Sequence, residues 1–184
     1  MSTALMRTSD GIEWLPAERL GQWSVDSRLR PWLIGKGLLT GRLRAAWGAR
    51  FELRPGDLWT GLLGAQIRRY LPTDDAAGLF REERLCCVER VAVITQVIVP
   101  DSTLDAHPWL AELGDSGVGE TLEGLCAVEY SAYEYAWLPA DEDLAARALR
   151  DTGHAGVWAR RSRLRLRKAP FAVQELFLPG MGDL

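Results

Sequence analysis

The chain has 184 residues, of which 47% are hydrophobic and 26% charged, with eight Trp and a formal net charge of −3. That size and composition describe one domain, residues 1–184, with a core able to enclose a small-molecule cavity, and exclude a disordered or low-complexity chain. The slightly acidic balance removes any global electrostatic attraction to nucleic acid or to an anionic membrane.

Residues 1–10 lack the basic start, apolar run and small-residue cleavage site of an export signal. The best apolar run, residues 91–99, contains Thr95 and Gln96 and falls far short of the roughly 20 residues that span a bilayer, so no membrane insertion is expected. Cys86, Cys87 and Cys126 make no two-bridge framework; they read as buried thiols in a reducing, cytoplasmic setting.

In chain order, residues 31–34 and 38–47 carry apolar residues at helical offsets, and Gly35 and Gly37 break the two apart, either capping the first helix or letting a helical hairpin flex. Residues 51–53 predict a short strand ending at the turn Arg54-Pro55-Gly56-Asp57. Residues 79–88 and 92–99 predict an antiparallel hairpin through Glu89 and Arg90. Pro100 ends it; short helical turns are expected near residues 101–104 and 108–113, then a glycine-rich loop over 114–119. Residues 127–137 predict a strand, 141–150 a surface helix with an acidic start and a basic end, and 158–167 with 171–178 a closing hairpin through Lys168-Ala169-Pro170. No internal repeat or linker divides the chain, so the class is α+β: an antiparallel sheet with helices segregated on one side or at one end.

Glu175 is the residue out of place. Counting by two along Phe171, Val173, Glu175 and Phe177 sets a carboxylate on an apolar strand face, where it needs either an internal ion pair or a ligand. Arg81 shares a strand face with Leu85 and Cys87, and a guanidinium there can grip a carboxylate or end in solvent. The basic run Arg160, Arg161, Arg163, Arg165, Arg167 and Lys168 looks like an RNA stripe. Alternation accounts for it more simply, with Leu164 and Leu166 toward the core and Arg163, Arg165 and Arg167 on the other face. His107 and His154 are the only histidines, outside any metal-ligand spacing, and Gly-x-Ser-x-Gly, P-loop and dinucleotide motifs are absent, so no metal or cofactor is expected.

Taken together, residues 158–166, Glu175-Leu176-Phe177-Leu178-Pro179, Arg81-Glu82 and residues 99–104 resemble the chorismate pyruvate-lyase family, which converts chorismate to 4-hydroxybenzoate and pyruvate at the entrance to ubiquinone biosynthesis. The resemblance covers nearly the whole chain, weakly before Gly35. It implies a single antiparallel sheet with two helical flaps covering an internal ligand site, a cofactor-independent reaction, and a monomer whose partners are chorismate and 4-hydroxybenzoate, with no nucleic acid. By the same resemblance, Arg81 and Glu175 are the catalytic candidates, holding the ring carboxylate and the ring hydroxyl. Leu39 and Val118 fall where the family has a methionine and a leucine against the ligand, Gln96 stands where it has an arginine, and the region from Glu120 to Gly156 is longer than the family pattern, with an extra helix near Asp141 to Arg150. Similar folds also serve as effector-sensing domains, which bind a ligand without converting it, and the arginine strand leaves an RNA-binding reading with steep salt dependence.

Overall fold

Two long hairpins carry the architecture. The computed structural model describes residues 12–114, 116–125, 128–150 and 152–184. The strands are β1 (Leu15–Pro16), β2 (Phe51–Leu62), β3 (Ala77–Cys87), β4 (Arg90–Pro100), β5 (Val128–Tyr130), β6 (Glu134–Pro139), β7 (Gly156–Leu166) and β8 (Ala169–Phe177). The helices are α1 (Arg30–Ile34), α2 (Leu39–Trp47), α3 (Ala65–Tyr70), α4 (Asp101–Ala106), α5 (Val118–Glu123) and α6 (Asp143–Ala148). All strands join one antiparallel sheet in the order β1-β6-β7-β8-β4-β3-β2, with β5 pairing β7 beside that path.

The β7–β8 hairpin turns on Arg167 and Lys168, both at positive φ (47° and 82°), the geometry whose twist matches that of paired strands. It is one residue tighter at its end than the turn expected at 168–170, because Ala169 already pairs Leu166. The β3–β4 turn likewise uses Val88 at φ 58°.

The expected stop at Arg54-Pro55-Gly56-Asp57 is instead a register shift between Pro55 and Leu58 inside one twelve-residue strand. Proline lacks the N–H that a central strand must donate, but β2 is an edge strand and tolerates it at such an irregularity. The strand expected at 127–137 is divided into β5 and β6, with Ala127 outside the described residues. Cys86 and Cys87 are buried free thiols, and Cys126 lies outside the described residues.

Helices cover both faces of the sheet, a departure from the one-sided arrangement expected. On one face, Leu33, Leu39, Leu43 and Trp47 of α1 and α2 pack on Leu85, Val93, Trp158 and Phe177, while Val118 and Leu122 of α5 pack with Leu79, Val97, Val99 and Phe171. On the other, Ala145 and Leu149 at α6 meet Ala136, Leu138, Ala159 and Leu176, and Tyr70 and Leu71 at α3 meet Ile98 and Ala172. The reason is in β4 and β8, which are apolar on both faces along most of their length and so need cover on each side. Full burial of a side chain such as Phe171 contributes about 1.5–3 kcal/mol, so neither layer is dispensable.

The second face also carries a polar row, with register Glu82, Gln96, Gln174, Arg161 and Glu134 across β3, β4, β8, β7 and β6. Gln96 is therefore turned away from Arg81. Burial pushes the Glu82 carboxyl above the usual carboxylate range, with Arg147, 3.4 Å away, pulling the other way. A carboxyl that holds its proton more tightly when folded stabilises the fold at low pH and loses that contribution as pH rises through its folded value. Glu82→Gln is thus expected to raise the melting temperature most near neutral pH, with the gain closing as the pH falls toward about 4. Thermal melts across that range check it; a gain largest in acid would contradict it.

Candidate functional site

On the first face, alternation brings one residue from each of five strands into a single register: Glu83 on β3, Thr95 on β4, Glu175 on β8, Arg160 on β7 and Tyr135 on β6. All five are buried. Arg81 lies one step along the same face, in the row of Val97 and Val173. Arg81 and Glu175 are thus separated by β4 alone, two strand spacings or roughly 10 Å between backbones.

Two ion pairs involve this row. Glu175 pairs with Arg160 Nε, and Arg160 is fully buried. Burial opposes the charge on Arg160, yet the neighbouring Glu175 carboxylate overcomes it and raises its pKa above the ordinary arginine value. Arg160 Nη1 donates to the carbonyls of Trp32, Leu33 and Gly35 at 3.3, 3.1 and 2.9 Å, and the Tyr133 ring centre lies 4.2 Å from the guanidinium. On β3 Arg81 Nε donates to Glu83 Oε1 at 3.0 Å, and its Nη2 to the carbonyls of Gly114 and Ser116 at 2.6 and 3.0 Å. The backbone N–H of Val118 donates to the same Glu83 oxygen at 2.8 Å.

Both pairs therefore tie a lid to the sheet. The last carbonyls of a helix have no partner within it; those of α1 are taken by Arg160 and by Arg42, which donates to Trp32 and Pro31 at 3.1 and 2.8 Å. A Cβ on Gly35 would meet the Arg42 guanidinium, so a larger residue there would have to displace that side chain from the α1 carbonyls. The lids themselves touch where Thr40 faces Gly119: a Cβ on Gly119 would sit 2.9 Å from Thr40 Oγ1. Between them and the sheet is a cavity of about 30 Å³, lined in part by Leu39, Thr40, Glu83, Val118 and Glu175. All four residues singled out from the sequence are thereby placed: Leu39, Val118 and Glu175 line this cavity, and Arg81 holds Glu83 at its wall. Wider hollows of about 340, 450 and 420 Å³ lie elsewhere on the surface; Gln96 lines the second of these. Among the described residues, no group of three or more His, Cys, Asp or Glu is placed to hold a metal, and no helix is long and apolar enough to cross a membrane.

Sequence reasoning missed two residues. Arg160 was grouped with a basic run, although its even spacing from Leu164 and Leu166 already puts it on their face; that parity identifies it as the partner that Glu175 needs. Glu83 shares Arg81's parity by the same rule, and was passed over among its charged neighbours Glu82 and Arg84.

A sheet roofed by helical lids over buried ion pairs makes this an α+β domain with an enclosed face. In solved structures the same fold occurs in the effector domain of PhnF from Mycobacterium smegmatis (14% identity, 78% of this chain and 89% of that one, TM-score 0.55). It occurs also in a GntR-family transcriptional regulator from Bacillus cereus (11% identity, 71% and 93%, TM-score 0.55). The sequence is more specific than the fold: a profile of the chorismate lyase family matches residues 9–182, and the chain belongs to that family. Relatives include a probable chorismate pyruvate-lyase of Pseudomonas aeruginosa, 30% identical over 177 residues (92% of this chain, 93% of that one). Another, from Methylococcus capsulatus, is 32% identical over 158 residues (83% and 96%).

Proposed function

We propose that this protein is a chorismate pyruvate-lyase supplying 4-hydroxybenzoate to ubiquinone biosynthesis. The observation that supports this best is the enclosed face bearing Arg81 and Glu175 on either side of β4, in a chain of the chorismate lyase family. Arg81 anchors the ring carboxylate through its planar fork, and Glu175, with Arg160 on one of its oxygens, accepts a hydrogen bond from the ring hydroxyl. Leu39 and Val118 close over the ring from the two lids.

The chemistry asks little of the protein beyond this. The C–O bond to the enolpyruvyl arm breaks, the hydrogen on the neighbouring hydroxyl-bearing ring carbon is lost, and the ring becomes aromatic. The arm leaves as pyruvate once it has gained a hydrogen. Holding the substrate at both ends in a reactive conformer and excluding water supply the acceleration, and no step needs a metal or redox cofactor. Expressing the chain in a bacterium deleted for its own chorismate lyase should restore ubiquinone, as added 4-hydroxybenzoate does; rescue by 4-hydroxybenzoate alone would refute the reading.

A cavity of about 30 Å³ has room for about one water, so a benzoate can enter or leave only as the lids part, and opening limits many enzymes. Rapid mixing with chorismate should give a burst of 4-hydroxybenzoate followed by a slower steady state, with competitive product inhibition. The contact between Gly119 and Thr40 adds a direction: the Cβ of Gly119→Ala wedges the lids apart, so the variant should show a smaller burst and weaker product inhibition. A linear time course from the first turnover in the parent would reject release as the slow step.

A further inference from the structure

The proposed reaction leaves one buried carboxylate of the site without a task. Glu83 is 2% exposed, and its Oε1 occupies two donors at once, Arg81 Nε at 3.0 Å and Val118 N at 2.8 Å. These are a guanidinium assigned to the ligand carboxylate and an amide of the lid segment assigned to ligand contact. A ligand carboxylate brought to Arg81 therefore meets a carboxylate already in place.

We propose that Glu83 is a specificity-determining residue: an internal carboxylate that competes with the ligand's own for Arg81 and the Val118 N–H. The proposal rests on the reading of Arg81 as the ligand's anchor. Two carboxylates brought within hydrogen-bonding reach of one guanidinium in a closed cavity repel, and such a pair retains a proton that either alone would release. The surroundings offer little other relief. Besides Arg81, the charged groups this face of the sheet carries among the described residues are Glu175 and Arg160, which are committed to each other, and Arg42 of α2 acts on that same pair. Toward the cavity the lids contribute uncharged Leu38, Leu39, Thr40, Val118, Gly119 and Leu122, while Arg44 of α2 and Glu120 of α5 pair with each other, and β2 contributes Pro55 and Leu53 opposite Glu83 and Leu85. A carboxylate ligand is thus admitted together with a proton, whereas a ligand lacking the carboxylate does not displace Glu83. The same device favours substrates whose anionic end bonds strongly enough to take both donors.

Calorimetric titration of the intact protein with 4-hydroxybenzoate, in buffers of different ionisation enthalpy between about pH 6 and 7.5, counts the protons taken up on binding. The expected count for the parent is close to one per ligand, with affinity falling about tenfold per pH unit. Glu83→Gln keeps the size and the acceptor for Arg81 while removing the charge; it should bind at least about tenfold tighter near pH 7.5, with no proton uptake. A parent that takes up no proton overturns the proposal without recourse to any variant. So does a folded Glu83→Gln protein that binds more weakly or takes up the same proton, which leaves Glu83 as a clamp between lid and sheet and Arg81 as the anchor. If neither protein binds 4-hydroxybenzoate, the assignment of Arg81 itself falls, and the competition with it.

Discussion

Arg160→Met is expected to destabilise the fold by about 3–5 kcal/mol, the cost of leaving one member of a buried ion pair without the other. Three losses coincide at that position. Glu175 is left in a buried site with its partner gone. The carbonyls of Leu33 and Gly35 lose a donor, so the end of α1 is no longer fastened to β7. The contact with the Tyr133 ring also goes. Urea denaturation of the two proteins measures the difference. Adding Glu175→Leu to the same chain should recover part of the loss, because an apolar pair of similar volume often replaces a buried ion pair without penalty. The recovery stays partial, since the α1 carbonyls are still without Arg160. A single variant within about 0.5 kcal/mol of the parent, the usual range for surface changes, would show that the pair does not hold the first lid.

Arg81→Ala is expected to weaken 4-hydroxybenzoate binding by about 2–5 kcal/mol, the range for truncating one side of a buried, hydrogen-bonded charge pair. Arg81→Lys should restore only part, because an ammonium cannot offer the parallel donors of a guanidinium. The change also releases the carbonyls of Gly114 and Ser116, so the loop leading into α5 loses its tether. Quenching of tryptophan fluorescence by the ligand reports the affinity, and a melt of each variant separates lost binding from lost fold. Unchanged affinity in Arg81→Ala would remove Arg81 from the site.

Much of this was legible from alternation alone. In β8, the period of two along Phe171, Val173, Glu175 and Phe177 fixed which face the acid joins, and that face is the one roofed by the lids. The same period separated Leu164 and Leu166 from the exposed Arg165 and Arg167, so the arginine run is a half-buried strand. What alternation does not carry is which strands become neighbours: that Arg160 meets Glu175, and Glu83 meets Thr95, depends on β7, β8, β4 and β3 lying in that order. The register shift in β2 was hidden for a different reason. Pro55-Gly56 has the composition of a turn, and only the edge position of the strand lets the chain continue through it. Helices on both faces were missed because α3, six residues long, is too short for periodicity to stand out, and because the acidic start and basic end that marked the helix at 141–150 do not say which face of the sheet it covers. The chemical roles came from the family resemblance; an arginine and an acid on strand faces fit many ligands.

The proposed activity is conversion of chorismate at the enclosed face, not merely binding of its product. It is tested most directly by incubating the purified protein with chorismate and quantifying 4-hydroxybenzoate and pyruvate in the same samples against chorismate consumed. One of each is expected per chorismate, at a rate that collapses in Arg81→Ala. Tight binding of 4-hydroxybenzoate with chorismate left unchanged would contradict it, and would make the protein a sensor built on the same fold.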